Sequence, residues 1–454
     1  MRKRVVLASA TVLLLLLAGS AVAAWFAFRD RPSGHLERSV TGISYVPQNL
    51  HPATPKRKKK RARPAVPADK LCWPYFGGNP QRSLARPHVR LGRPTKILWA
   101  RAVDDFMEYP PSYCDGTLYV NTYRGTTYAI DAATGKTIWR RRHGGPKPST
   151  PAIAGDRLIV SSTDGTVTAL ARSNGHVLWQ IKLNAKVESS AVVIRNTAYV
   201  GATDGRVLAL NVRTGRARWA YDTGGRINSS PSIWGGRLCV TTYAGSIFCL
   251  RRSNGHKLWH RYVRRNAFME ESFYASPSTD GKRLFTISRD GKVVALSAVS
   301  GSRLWAHDLN TDGYSTPAIA HGRVFIGDFN GYMRAYRARD GKQLWAKHLG
   351  GKWLGPALVA GNLIFCSNLE TQTYALRARD GKIVWHKGLG KYAPGIVTER
   401  HYYFSLNGIL LAALGRHSPP PVHAKAKRAH RKRAASHKRA RRSGKRHVAT
   451  APKR

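Results

Sequence analysis

Residues 151–183 alternate apolar and polar positions in four short runs, 151–154, 157–163, 166–172 and 176–183. A period of two predicts strands with one face buried. Gly155-Asp156, Asp164-Gly165 and Asn174-Gly175 separate the runs, and glycine between alternating runs is a hairpin signal because it accepts the positive φ of a tight turn. The unit therefore reads as a four-stranded antiparallel meander. The same order of runs recurs down the chain, and each copy ends on a tryptophan: Trp99, Trp139, Trp179, Trp219, Trp259, Trp305, Trp345 and Trp385.

The separations of these tryptophans are 40 residues except for one of 46, between Trp259 and Trp305. A period near forty with four short strands per unit predicts an all-β, eight-bladed β-propeller. Trp99 has no complete unit before it, and residues 394–414 open a unit with no tryptophan after it. The strand holding Ile97, Leu98 and Trp99 is expected to complete that last blade, closing the ring and leaving no free sheet edge. Each tryptophan is expected to dock between neighbouring blades. The predicted domains are a transmembrane segment (1–28), a basic disordered linker (29–71), the propeller (72–415) and a Lys/Arg-rich disordered tail (416–454). Cys72, Trp73, Pro74, Tyr75 and Phe76, followed by Gly77, Gly78 and Pro80, predict an ordered loop packed on the propeller.

The pattern Ala-x-Asp-x-x-Thr-Gly-Lys-x-x-Trp at residues 129–139, echoed at 209–219 and 375–385, resembles the tryptophan-docking repeat of PQQ-like propellers. The resemblance spans residues 72–415. It implies a superfamily that holds both eight-bladed quinoprotein dehydrogenases and a non-catalytic outer-membrane assembly lipoprotein, so it carries the fold and leaves activity open. In the dehydrogenases the resemblance implies a quinone at one end of the central channel, with Ca²⁺, a catalytic Asp and often a disulfide of adjacent cysteines. No Cys-Cys pair stands here. The residues three before the Pro of each repeat, Glu108, Pro148, Glu188, Asn228, Tyr274, Tyr314, Trp353 and Lys391, are expected to ring that mouth. Their types could hold a metal and a planar acid, yet they do not match the enzyme pattern one for one. No cofactor is expected, with PQQ and Ca²⁺ as the alternative.

The longer link before Pro277 offers Arg264, Arg265, Glu270, Glu271 and Phe273 as a candidate partner loop, against the plain reading of a tolerated insertion. No Gly-x-Ser-x-Gly, His-Glu-x-x-His or phosphate-loop motif occurs. No catalytic residue or metal ligand is assigned.

Charge then changes the picture of partners. The chain carries 76 Lys+Arg against 24 Asp+Glu, a formal +52. The tail contributes +15 with no acidic residue, residues 1–70 contribute +11, and the propeller keeps +26. Residues 5–28 are uncharged, follow Arg2-Lys3-Arg4 and are long enough to span a bilayer as a helix. They read as an uncleaved anchor rather than a leader cut after Ala21-Val22-Ala23, since the apolar run continues through Trp25, Phe26 and Phe28. With a membrane address, anionic lipid or envelope polymer is the expected partner of the basic segments, including the run 56–61; an unidentified protein is a further partner, and nucleic acid is the weaker reading. The propeller is expected outside the cytoplasm.

Register supplies the last expectation. In the hairpin 237–250, Gly245 closes a three-residue loop with Tyr243 and Ala244, so Thr242 faces Ser246 and, counting outward, Cys239 faces Cys249. A non-hydrogen-bonded pair there brings the Cα atoms to about 4.5 Å, within disulfide range. A two-residue loop would shift the register and leave two buried thiols instead. A disulfide would favour an oxidising compartment.

Overall fold

The computed structural model describes residues 35–37, 42–45, 71–263, 272–391, 395–406 and 410–415. Eight sheets form from consecutive antiparallel meanders: blade 1 spans 112–142, blade 2 152–183, blade 3 192–222, blade 4 232–262, blade 5 278–308, blade 6 318–348 and blade 7 358–387. Blade 8 joins the two ends of the repeat region: Ile396–Val397, Tyr402–Ser405 and Leu410–Gly415 come from the C-terminal part, and Lys96–Ala102 supplies the outer strand. In blade 2 the strands are Ala152–Ala154, Arg157–Ser161, Thr166–Ala171 and Val177–Leu183.

One device repeats in all eight blades. The third strand meets the fourth with a register shift beside the tryptophan, as where Ala129 faces Trp139 and Ile130 faces Thr137. The residue skipped is Ile138 in blade 1, which is 53% exposed. A bulge of this kind bends the strand and re-aims its neighbours, and it swings the indole toward the next blade. There the Trp99 Nε1–H donates to Ala132 O at 3.0 Å, Trp139 to Arg172 O at 3.0 Å, Trp179 to Val212 O at 2.8 Å and Trp345 to Ala378 O at 3.1 Å. The indole also lies on the glycine of the Thr-Gly turn. A Cβ at Gly135 would sit 2.6 Å from the Trp99 ring, and Gly135 has φ +69°. The docking motif thus pairs a bulged tryptophan with a turn glycine of the next blade, as Trp99 with Gly135 and Trp139 with Gly175.

The expectation that closure leaves no free edge is corrected. Ring closure removes the open end of the circle, but each blade is a separate sheet and keeps an outermost edge. Two of these edges carry short strands from the predicted linker, which is therefore not unstructured throughout. His35–Glu37 pairs with the outer strand of blade 3, and Ile43–Tyr45 pairs with that of blade 2. Among the described residues no helix is long and apolar enough to cross a membrane, and the predicted span at 1–28 and the tail from 416 lie outside them.

Candidate functional site

The innermost strands line a central channel, and the loop between Cys72 and Arg86 fills part of it. Its backbone joins the inner strands of successive blades. Trp73 exchanges hydrogen bonds with Tyr113 of blade 1, and Pro74 O accepts from Ile153 of blade 2. Pro80 O accepts from Ile233, Gln81 O from Thr279, Ser83 O from Ile319 and Leu84 O from Val359, in blades 4 to 7. Ala85–Arg86 pairs in parallel with blade 7. The aromatic and Gly/Pro composition of this segment suits such a path, since Gly77 and Gly78 adopt φ of +83° and +75° against Arg82 and the Trp73 ring. A disulfide from Cys72 to Cys114 ties its start to blade 1.

Arg82 anchors the middle of this plug and is fully buried. Its guanidinium donates to Phe76 O at 2.6 Å, Pro231 O at 2.6 Å and Ser190 O at 2.9 Å. No carboxylate among the described residues pairs with it; burial pulls its pKa down to about 9. Three backbone carbonyls therefore take the place of an acid.

Just beyond the plug a girdle of hydroxyls links the blades. Thr150 N–H donates to Ser190 Oγ at 3.0 Å, Ser190 N–H to Ser230 Oγ at 2.9 Å, Ser230 N–H to Ser276 Oγ at 2.9 Å and Ser276 N–H to Thr316 Oγ1 at 3.2 Å. The tryptophan period does not reveal this ring; its signal in the sequence is a Ser or Thr immediately before the repeat proline or Ala191.

The predicted mouth residues are brought together in part. Glu108 accepts from Tyr123 Oη and, across the ring from blade 5, from Tyr274 Oη at 3.5 Å. Glu188 accepts from Asn228 Nδ2 and lies 3.8 Å from Arg226. Tyr274 and Tyr314 meet edge to face at 5.8 Å. Burial, with the nearby Glu188 charge, raises the Glu108 pKa against the hydrogen bond from Tyr123. Tyr274 is raised as well, first by Tyr109 and then by burial.

Trp353 does not belong to this ring and is corrected here. It is 0% exposed, and its backbone N–H bonds to Asp328 O just as Phe273 bonds to Thr242 O and Ile227 to Ala202 O. A link one residue shorter before Pro356 moves the mouth position to Leu354, which lines the channel cavity. Lys391 bonds through its backbone to Ser405 O, and Pro148 is buried. Of the proposed partner loop, Arg264, Arg265, Glu270 and Glu271 lie outside the described residues. Phe273 is fully buried in the core of blades 4 and 5, so it is not offered to a partner.

Between Phe76 of the plug and the ring of Glu108, Tyr274, Tyr314 and Leu354 there remains a cavity of about 40 Å³. Small-molecule sites run from about 300 Å³ upward. A tricyclic quinone does not fit there unless the tyrosines or the plug move, and both Glu108 and Glu188 are already committed to protein donors. Among the described residues the one group with metal-ligand proximity is Cys72, Cys114 and Asp115, whose two cysteines are joined to each other.

The Cys239–Cys249 hairpin has Thr242 N–H donating to Ser246 O at 2.9 Å, and Cys239 faces Cys249 with Cα atoms 4.2 Å apart and the sulfurs joined. Cys249 also takes the position that faces Trp259, which sister blades fill with Ala. Cys366 is a buried free thiol.

The sequence matches the PQQ_2 family, described as outer membrane protein assembly factor BamB, over residues 88–288, 264–386 and 330–405. No curated protein matches it significantly by sequence. Among solved structures it is similar to BamB from Moraxella catarrhalis, at 13% identity and TM-score 0.59, covering 71% of this chain and 99% of that one. It is also similar to the quinohemoprotein alcohol dehydrogenase of Comamonas testosteroni, at 14% identity and TM-score 0.66, covering 78% and 82%. A europium-containing methanol dehydrogenase stands at 14% and 0.64, covering 74% and 88%. At these identities the likeness is one of fold.

Proposed function

From the premise that this chain belongs to the PQQ_2 family of the outer membrane protein assembly factor BamB, we propose that it is a non-enzymatic binding scaffold of the cell envelope. Residues 1–28 anchor it to the membrane, and the propeller stands outside the cytoplasm. Its basic linker and tail contact anionic lipid or polymer, and the loop face around the channel mouth receives a protein partner. The observation that carries this reading is the plugged channel: Arg82 and the 72–86 segment occupy the space below the mouth, and the cavity between Phe76 and the mouth ring holds about 40 Å³. A partner must then be met on the surface, where large areas and exposed loops are available. The disulfides support an oxidising compartment.

The rival is a PQQ-dependent dehydrogenase, favoured by the fold of the alcohol dehydrogenase neighbour. Purified protein titrated with PQQ and Ca²⁺ separates the two. A quinone absorbance change with dye reduction by alcohols or sugars would overturn the scaffold reading. Absence of both, together with capture of envelope proteins that persists when the tail is removed, supports it. Retention on anionic vesicles or wall fragments is expected to fall steeply as salt rises beyond about 0.2 M, because exposed charges are screened and counterion release weakens.

A further inference from the structure

A cleft of about 560 Å³ opens on the mouth face between blades 2 and 3, lined among others by Asp164, Lys182, Asn184, Lys186, Thr203 and Arg226. Three of these are cations on different elements: Lys182 is the last residue but one of the outer strand of blade 2, Lys186 lies in the link to blade 3, and Arg226 in the link to blade 4. Lys186 and Arg226 are exposed, and Lys182 keeps 42% of its side-chain surface. Arg226 is held before any ligand arrives. Its Nε donates to Asn228 Oδ1 at 2.9 Å, and its guanidinium lies 5.2 Å from the Tyr243 ring centroid.

Two carboxylates stand at the cleft and both are occupied: Glu188 accepts from Asn228 Nδ2 and lies 3.8 Å from Arg226. Asp164 accepts from Gly145 N–H at 2.8 Å and from the Thr166 hydroxyl and N–H at 2.7 and 3.0 Å. Burial opposes its charge, but these hydrogen bonds prevail and hold its pKa at about 2. Lys182 stands 3.8 Å away. Lys186 makes no ion pair among the described residues, so the cleft carries an excess of positive charge.

We infer that this cleft is a binding site for an acidic saccharide whose carboxylate is taken by Arg226 and Lys186 and whose hydroxyls meet Asn184, Thr203 and Lys182. A planar guanidinium fixed on an aromatic face suits bidentate capture of a carboxylate. The remaining wall sets the Thr163 and Thr203 hydroxyls and the Asn184 amide beside the apolar Leu183 and Ala185, the mixture of polar edge and apolar face that a sugar ring presents. Nucleic acid fits less well. It needs open aromatic faces for its bases, whereas Tyr243 is covered by Arg226. The assignment rests on the envelope reading for its source of saccharide, but it places recognition on the folded propeller and not on the basic tail.

Full-length protein is mixed with trigalacturonate, neutral galactotriose or a short oligothymidylate, and lysine acetylation is mapped by mass spectrometry. Trigalacturonate is expected to protect Lys182 and Lys186 while galactotriose does not, and Arg226→Ala is expected to weaken that protection about tenfold or more, with Arg226→Lys between the two. Melting temperatures of the variants check that they remain folded. Protection confined to lysines of residues 416–454 would overturn the cleft assignment and leave the tail reading intact. Equal protection by the neutral sugar, or stronger protection by oligothymidylate, would overturn the assignment as well. Protection of Lys182 and Lys186 without any in the tail would count against the tail reading alone.

Discussion

Trp99 and Gly135 meet across the seam where the ring closes. The indole lies on a glycine whose φ is +69°, and a Cβ added there would stand 2.6 Å from the ring. The same indole donates to Ala132 O at 3.0 Å. Since Trp99 sits on the strand that completes blade 8 and Gly135 on a turn of blade 1, this contact joins the first and last parts of the repeat.

Gly135→Ala is therefore expected to cost more than Gly155→Ala. Both residues have positive φ, but nothing lies within 4 Å of a Cβ at Gly155. Backbone strain of about 1–2 kcal/mol applies to both, and overpacking adds about 1–3 kcal/mol at Gly135 alone. Chemical denaturation of the two variants checks this, and equal midpoints would refute the docking contact.

Deleting residues 91–101 is expected to lower the melting temperature far more than deleting residues 46–63. The first removes most of Lys96–Ala102, which pairs along Leu410–Gly415, together with a docked tryptophan. Equal melting temperatures would sink the closure of blade 8.

Arg82→Met keeps volume in the plug but leaves the carbonyls of Phe76, Ser190 and Pro231 without their donor. An unsatisfied buried acceptor costs about 1–3 kcal/mol, so a loss of several degrees in melting temperature is expected, with faster amide exchange over residues 72–86. Removing a buried charge acts in the opposite direction. Unchanged exchange in the plug would show that Arg82 does not hold it.

The pH dependence of stability carries a histidine signature. Burial first, then Lys147 and Arg141, push the His143 pKa down to about 3, whereas the unfolded residue titrates near 6.5. Between these values the unfolded chain binds the extra proton, so His143 withdraws stability as pH falls from about 6.5 to about 3. His260, pushed down to about 4 chiefly by burial, has the same sign. Glu108, raised by burial, has the opposite sign. His143→Gln is expected to lose less melting temperature than the parent between pH 6.5 and 4; parallel curves would disprove the shift.

The two disulfides are expected to differ in access. Cys239 and Cys249 are 0% exposed, whereas Cys72 is only partly buried. Under mild reductant in the folded state, alkylation should reach Cys72 and Cys114 first. Simultaneous labelling of all four would indicate that the blade 4 hairpin opens as readily as the plug.

What the residues alone determined is local and repeated. The forty-residue tryptophan period set the number of blades, and turn glycines set the hairpins. Counting outward from Gly245 placed Cys239 opposite Cys249, because side-chain alternation and loop length together fix register. Even the completion of blade 8 by Lys96–Ala102 followed from two incomplete units. The tertiary structure decided what no period encodes. Arg82 bonds to Pro231, 149 residues away, and nothing in a Gly/Pro-rich loop states which channel it enters. Trp353 left the mouth because a one-residue shortening shifts register, which position counting from Pro356 concealed. The strands His35–Glu37 and Ile43–Tyr45 arise because an exposed blade edge offers unpaired backbone groups to a segment whose own composition predicts no strand. The cleft of Lys182, Lys186 and Arg226 exists only because two links forty residues apart in the chain are neighbours around the ring.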